Sequence, residues 1–231
     1  MCNLYSMTKP ISAMRDLFGV GPGLDRLGNA QPQPAIYPRH EAPILRRTDT
    51  GALELVRAHW GFLMPQVSKK TGKPILPKAV NNARDDKVRT SGFWRASFEE
   101  RRCLIPATAF CEAKGRAPAT YYWFGVAPDK GDAPDLFAFA GIWRRFRGKY
   151  RDELVEIDTY SMLTTTPNEL VRDIHPDRMP VILAPGDYEA WLAGSADDAA
   201  SLMRPFPAEQ MAIIDSGEGM KAEPDTAHLA S

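Results

Sequence analysis

The second residue of the chain is a cysteine, and it is the first place where chemistry could occur. Were Met1 removed, Cys2 would carry a free amine and a thiol on adjacent carbons. Such an amine, with a pKa of roughly 7.7–8.0 at an unperturbed terminus, condenses with an aldehyde, and the thiol then closes on the imine to give a five-membered thiazolidine. A cysteine inside a chain cannot do this. Three further segments carry reactive side chains. VNNARDDK, residues 80–87, sets two amides and an arginine behind the apolar approach KPILPKAV. Asn82 can donate and accept at once and Arg84 can fork onto a phosphate, while the same letters would also build a turn. RRCLIPATAFCEAKG, residues 101–115, ends a buried-strand pattern on Glu112. A carboxyl there is either a proton carrier with a raised pKa or an edge residue facing water. TTTPNELVRDIHPDRMPVILAP, residues 164–185, puts His175 in a proline-flanked turn with Arg178 three positions on. Catalytic residues favour such loops, although a lone histidine is often structural.

Two aromatic segments lie near basic residues: HWGFLMP with Trp60, and FWRASF with Phe93 and Trp94. Rings beside arginines suit single-stranded nucleic acid, because bases stack on the rings while the cations hold the backbone. Tryptophans also fill cores.

The elements that must position these groups are mostly strands. Runs rich in β-branched and aromatic residues cover 43–47, 53–60, 103–105, 120–126, 136–146 and 157–165, separated by turn signals. Helices are expected over 92–100, 168–174 and 187–193. Another, starting at Thr8-Lys9-Pro10 and stopped by Gly19, would show Ile11, Met14, Leu17 and Phe18 on one face and anchor the N-terminus. Strands and helices alternate without a regular period, so the fold class is α+β with a mostly antiparallel sheet. The stretch 19–38 reads as a loop, and residues 216–231, which lack an apolar face, as a disordered acidic tail.

At 231 residues, 44% hydrophobic and 25% charged, the chain has the composition of a globular domain with a substantial core. With neither a signal peptide nor a membrane span indicated, a cytoplasmic protein is expected. Cys103 and Cys111 show no metal-ligand spacing to each other or to histidine, so neither a disulfide framework nor zinc is called for. Net charge is zero, yet residues 186–231 hold nine acidic residues against Arg204 and Lys221. The rest of the chain is therefore basic, which is compatible with an anionic partner.

The ordered set MCN, HWGFLMP, NNARDDK, RRCLIPATAFCEAKG and TTTPNELVRDIHPDRMPVIL resembles the SRAP family, the SOS-response-associated peptidases that process abasic sites in single-stranded DNA. The resemblance spans residues 2–190 and implies a domain over 1–215 with a partly barrel-like sheet core. It implies that Cys2, freed of Met1, reacts with the aldehyde of a ring-opened abasic sugar to leave a covalent protein–DNA crosslink. In that scheme Asn82 positions the Cys2 amine or the opened sugar, and Glu112 assists imine formation and proton transfer. His175 helps to open the sugar ring and supports reversal, and Arg84 and Arg178 hold phosphates. Trp60 and Trp94 are the candidate stacking platforms, and the partner is single-stranded DNA with abasic sites, bound by a monomer without cofactor or metal. Two departures stand out: Asn3-Leu4-Tyr5 follows Cys2 where glycine and arginine are common, and Ala113 replaces the aromatic that usually follows the glutamate. Two other functions fit the same letters. One is an N-terminal-nucleophile peptidase with a Cys2 thiolate; the other is a non-catalytic single-strand binding module.

Overall fold

Residues 2–127, 136–151 and 153–224 are described by the computed structural model. The chain begins with β1 (Tyr5–Met7) and α1 (Ile11–Phe18), then runs through β2 (Gln33–Ile36), β3 (Glu41–Arg47), β4 (Leu53–Trp60), β5 (Phe62–Val67), β6 (Pro74–Val80) and β7 (Asn82–Arg84). Short helices α2 (Asp85–Val88) and α3 (Arg95–Glu100) lead into β8 (Arg102–Ala107), β9 (Ala109–Gly115), β10 (Ala119–Val126), β11 (Phe137–Tyr150) and β12 (Glu153–Thr165). The remaining elements are α4 (Glu169–Arg172), β13 (Met179–Pro180), β14 (Ile182–Leu183), α5 (Tyr188–Ala193), α6 (Ala196–Ser201) and β15 (Met211–Glu218).

The architecture is α+β, as the strand-rich pattern implies. In the larger sheet β12, β4, β3, β8 and β11 are joined in that order, and β11 pairs back onto β12, closing a five-stranded ring. All these contacts are antiparallel except β12 with β4. Closure removes the free edges that an open sheet would leave. A second sheet, ordered β15-β10-β9-β1-β2, is antiparallel throughout. The chain passes from one sheet to the other across Thr108, between β8 and β9, so Glu112 is carried out of the ring towards the N-terminus. Cys111 N–H donates to the Leu4 carbonyl at 2.9 Å, locking that approach.

The ring is filled by side chains of residues that alternate inward. Tyr5 enters it from β1, edge-on to Trp60 (centroids 5.0 Å apart) and Phe139 (5.8 Å), with its hydroxyl 2.5 Å from that of Tyr160. Gly61 follows Trp60 at φ +114°, and a Cβ there would sit 2.8 Å from the Ala79 Cβ, so β4 turns into β5 only because the residue is glycine. Helix α1 buries Met14 and Phe18 and ends on Gly19 in the left-handed region, φ 65°. No helix among the described residues is long and apolar enough to cross a membrane.

The C-terminal reading needs correction. Strand β15 runs through Glu218 along β10, so the tail expected from 216 begins inside a strand. Glu223 N–H then donates to the Pro34 carbonyl at 2.8 Å. Residues 225–231 lie outside the described part.

Candidate active site

Four sequence-singled residues, Cys2, Asn82, Glu112 and His175, come together at the end of the ring where β7, β9 and the N-terminus meet. Strand β7 lies parallel to β12, with Asn82 opposite Met162. From that position Asn82 Nδ2 donates to the main-chain carbonyl of Cys2 at 2.8 Å. Asn81 Nδ2 reaches the same carbonyl at 3.1 Å and the Asn3 side-chain oxygen at 3.0 Å. Asn81 itself is fixed through its own carbonyl, which accepts from the Trp60 indole N–H at 3.0 Å. The twin amides of VNNARDDK are thus a clamp on the backbone of residue 2. Asn3 supplies part of that clamp. The Asn82 Oδ1 is buried with no hydrogen-bond partner among the described residues, an acceptor left over beside residue 2.

Cys2 is fully buried, with its thiol donating to the Leu4 carbonyl at 3.4 Å. Burial, then the neighbouring Glu112 charge, push the thiol pKa well above its usual value. Glu112 sits 5% exposed at the middle of β9. Burial raises its carboxyl to about 7, against a smaller downward pull from the terminal amine. A carboxyl there can take or give a proton at neutral pH. His175 lies in the turn after α4, its Nδ1 accepting from the Arg178 N–H at 3.3 Å. Burial, and next the terminal amine charge, lower its pKa, so the neutral ring dominates at pH 7.

Glu112 and His175 line a cavity of about 510 Å³ with Asn3, Leu4, Tyr121 and Lys221, among others, while Cys2 and Asn82 are buried behind its Asn3-Leu4 wall. Asn81, Tyr121 and Lys221 were not singled out by type. The doublet NN was the available signal for Asn81. Tyr121 sits opposite Ala113 in the β9–β10 register, which only strand pairing reveals. Nothing in the sequence marked Lys221, since its segment read as a tail.

Three expected DNA contacts are placed elsewhere. Trp60 is 0% and Trp94 8% exposed, so neither offers a face to a base. Trp60 is stacked 6.4 Å from Tyr160 inside the ring, and Trp94 packs on Phe62 (5.1 Å) and Phe93 (4.5 Å). Both bury more apolar surface in the core than a stacking site would leave them. Arg178 is 9% exposed and joins Asp85 at 2.5 Å and the Thr164 carbonyl. It ties the His175 turn to the start of α2 and does not present its charge to solvent. Arg84 does lie on the surface, where its guanidinium forks onto Asp86 at 2.9 and 2.7 Å. The three cysteines are free and buried. Among the described residues no cluster of His, Cys, Asp and Glu has the makings of a metal site.

A barrel-derived fold with a buried cysteine at position 2, clamped by asparagines beside a pocket that a buried glutamate and a histidine line, defines a recognisable class. The sequence pattern of the SOS response associated peptidase (SRAP) family matches residues 1–218, and the chain belongs to that family. Over 161 residues it is 33% identical to the abasic site processing protein YoqW of Bacillus subtilis, covering 68% of this chain and 66% of that one. Over 216 residues it is 30% identical to the abasic site processing protein YoaM of the same organism, covering 91% and 88%. A crystal structure of a protein from Bacteroides thetaiotaomicron superposes with a TM-score of 0.71 at 25% identity, covering 93% of this chain and 90% of that one. One from Bordetella bronchiseptica gives 0.70 at 27% identity, covering 94% and 99%.

Proposed function

We propose that this protein processes abasic sites in single-stranded DNA by capping them covalently through Cys2 once Met1 has been removed. The observation that carries the reading is the clamp: two asparagines hold the Cys2 backbone beside a buried carboxyl whose pKa lies near 7. The names of the relatives point the same way.

The chemistry balances without redox. The Cys2 amine adds to the C1′ aldehyde of the opened sugar, one N–H proton passing to the oxygen, and protonated Glu112 protonates the resulting hydroxyl, so one water leaves, a protonated imine remains and Glu112 is left as a carboxylate. The thiol then gives its proton to the Glu112 carboxylate as the sulfur bonds to C1′, and the ring closes as a thiazolidine whose nitrogen keeps its hydrogen. Because the thiol is neutral at rest, this second step needs a nearby base, and the deprotonated Glu112 is one. His175, neutral at pH 7, suits proton transfer on and off the sugar oxygens during ring opening. Asn82 Oδ1 is an acceptor for the Cys2 amine or a sugar hydroxyl. Holding amine, thiol and aldehyde in one pocket turns a slow bimolecular condensation into an effectively intramolecular one.

A peptidase would rest on a Cys2 thiolate, which burial disfavours. A purely stacking module built on Trp60 and Trp94 loses its platforms to the core. The decisive experiment combines intact mass with adduct formation. A chain shown by mass to lack Met1 should give a heat-stable adduct with an abasic single strand and none with an intact one, and Cys2→Ala should give none. Absence of adduct from correctly processed wild-type protein would sink the proposal.

A further inference from the structure

The segment after β15 is held over the pocket by contacts from four parts of the chain. The Trp123 indole N–H donates to the Met220 carbonyl at 3.0 Å, and the Tyr37 hydroxyl to the Lys221 carbonyl at 2.8 Å. Glu223 accepts from the Thr8 and Thr108 hydroxyls at 3.1 and 2.6 Å, and its N–H donates to the Pro34 carbonyl at 2.8 Å. Ordering a polar segment costs conformational entropy. Here the contacts fix one side chain in particular: Lys221, exposed, lining the same cavity as Glu112 and His175. Its ammonium lies 5.9 Å from the centre of the Tyr121 ring and meets no carboxylate among the described residues. The segment also lies beyond residue 218, where the match to the family pattern ends.

Tyr121 completes the arrangement. It faces Ala113 across the β9–β10 pair, and both residues line the cavity. An opened sugar has no base to stack, and what an abasic nucleotide still offers at the pocket mouth is its phosphate. A lysine ammonium is a compact point charge suited to one phosphate oxygen.

We propose that Lys221, carried to the pocket rim by the C-terminal segment and seated on Tyr121, is the cation that holds the phosphate flanking the lesion. It is a strand-positioning residue contributed by a segment beyond the match to the family pattern. The inference rests on the proposed function, because it takes the ligand to be a single strand with an abasic sugar.

The test uses full-length protein lacking Met1, with wild type, Lys221→Ala and Lys221→Arg compared on abasic and intact single-stranded oligonucleotides at several salt concentrations. Loss of one phosphate contact should weaken binding about fivefold and lower the slope of log affinity against log salt by about 0.7, the single-strand value for one neutralised phosphate. In adduct formation the half-saturating DNA concentration should rise more than the maximal rate falls. Lys221→Arg should restore both. Equal thermal midpoints for the three proteins would show that the segment stays docked. If Lys221→Ala matches wild type in affinity and salt slope, the Lys221 assignment is wrong even where wild type forms its adduct. If wild type binds the strand with the expected Lys221 dependence but forms no adduct, the assignment stands and the crosslinking chemistry fails.

Discussion

Asn82 Nδ2 lies 2.8 Å from the main-chain oxygen of Cys2, joining β7 to the second residue of the chain across 80 positions of sequence. The contact is buried, so it excludes water from one side of residue 2 and sets the direction in which a freed amine would point. Asn82→Ala should cost about 1 kcal/mol of stability, the usual net worth of such a hydrogen bond. It should slow adduct formation about tenfold through lost positioning. Asn82→Asp, which sets a carboxylate against that carbonyl, should fall further on both counts. Urea midpoints and single-turnover adduct rates measure the two effects separately.

The Glu112 carboxyl makes stability depend on pH in a definite direction. Its folded-state pKa is raised from 4.5 to about 7. Between those values the folded chain keeps a proton that the unfolded chain releases, so stability falls as pH rises through this window. The whole drop is about 3 kcal/mol. In Glu112→Gln it should vanish: thermal midpoints of variant and wild type should converge near pH 4 and stand apart at pH 8, with the variant higher.

Trp60 should report on folding and not on DNA. Trp60→Phe keeps an aromatic ring beside Tyr5 and Tyr160 but loses the indole N–H that holds the Asn81 carbonyl. A loss of about 2 kcal/mol is expected from the smaller ring and the lost indole hydrogen bond, the Asn81 carbonyl keeping the Met162 N–H at 3.0 Å. Affinity of the folded protein for an intact single strand should stay at the wild-type value, which a binding titration at a temperature well below the midpoint would check.

Arg178 separates positioning from DNA contact. Its side chain is 11% exposed and that of Asp85 20%, so removing the arginine leaves a poorly solvated carboxylate. Arg178→Ala should cost about 2 kcal/mol, below the range for fully buried pairs because water reaches both partners. It should slow adduct formation by loosening the His175 turn, yet leave the salt slope of strand binding unchanged, as no phosphate contact is lost.

Cys2, Asn82, Glu112 and His175 were legible in the sequence because their chemistry is a property of residue type and their motifs are local. The strands were legible for the same reason: alternation and β-branched content report on each segment by itself, and Leu53–Trp60 came out to the residue. Burial is different. Whether Trp60 and Trp94 face a base or a core depends on Tyr160 and Phe62, brought to them by ring closure, and composition cannot distinguish the two fates. Whether Arg178 meets a phosphate or Asp85 depends on β7 lying along β12. The last described residues looked like a solvated tail because no local pattern marks them. What holds them is Trp123, Tyr37, Thr8 and Thr108, residues remote in sequence and near only in the fold. The sequence alone determined which groups could react; the tertiary structure decided which were desolvated, which were already paired and which faced the pocket, because those properties come from neighbours supplied by distant parts of the chain.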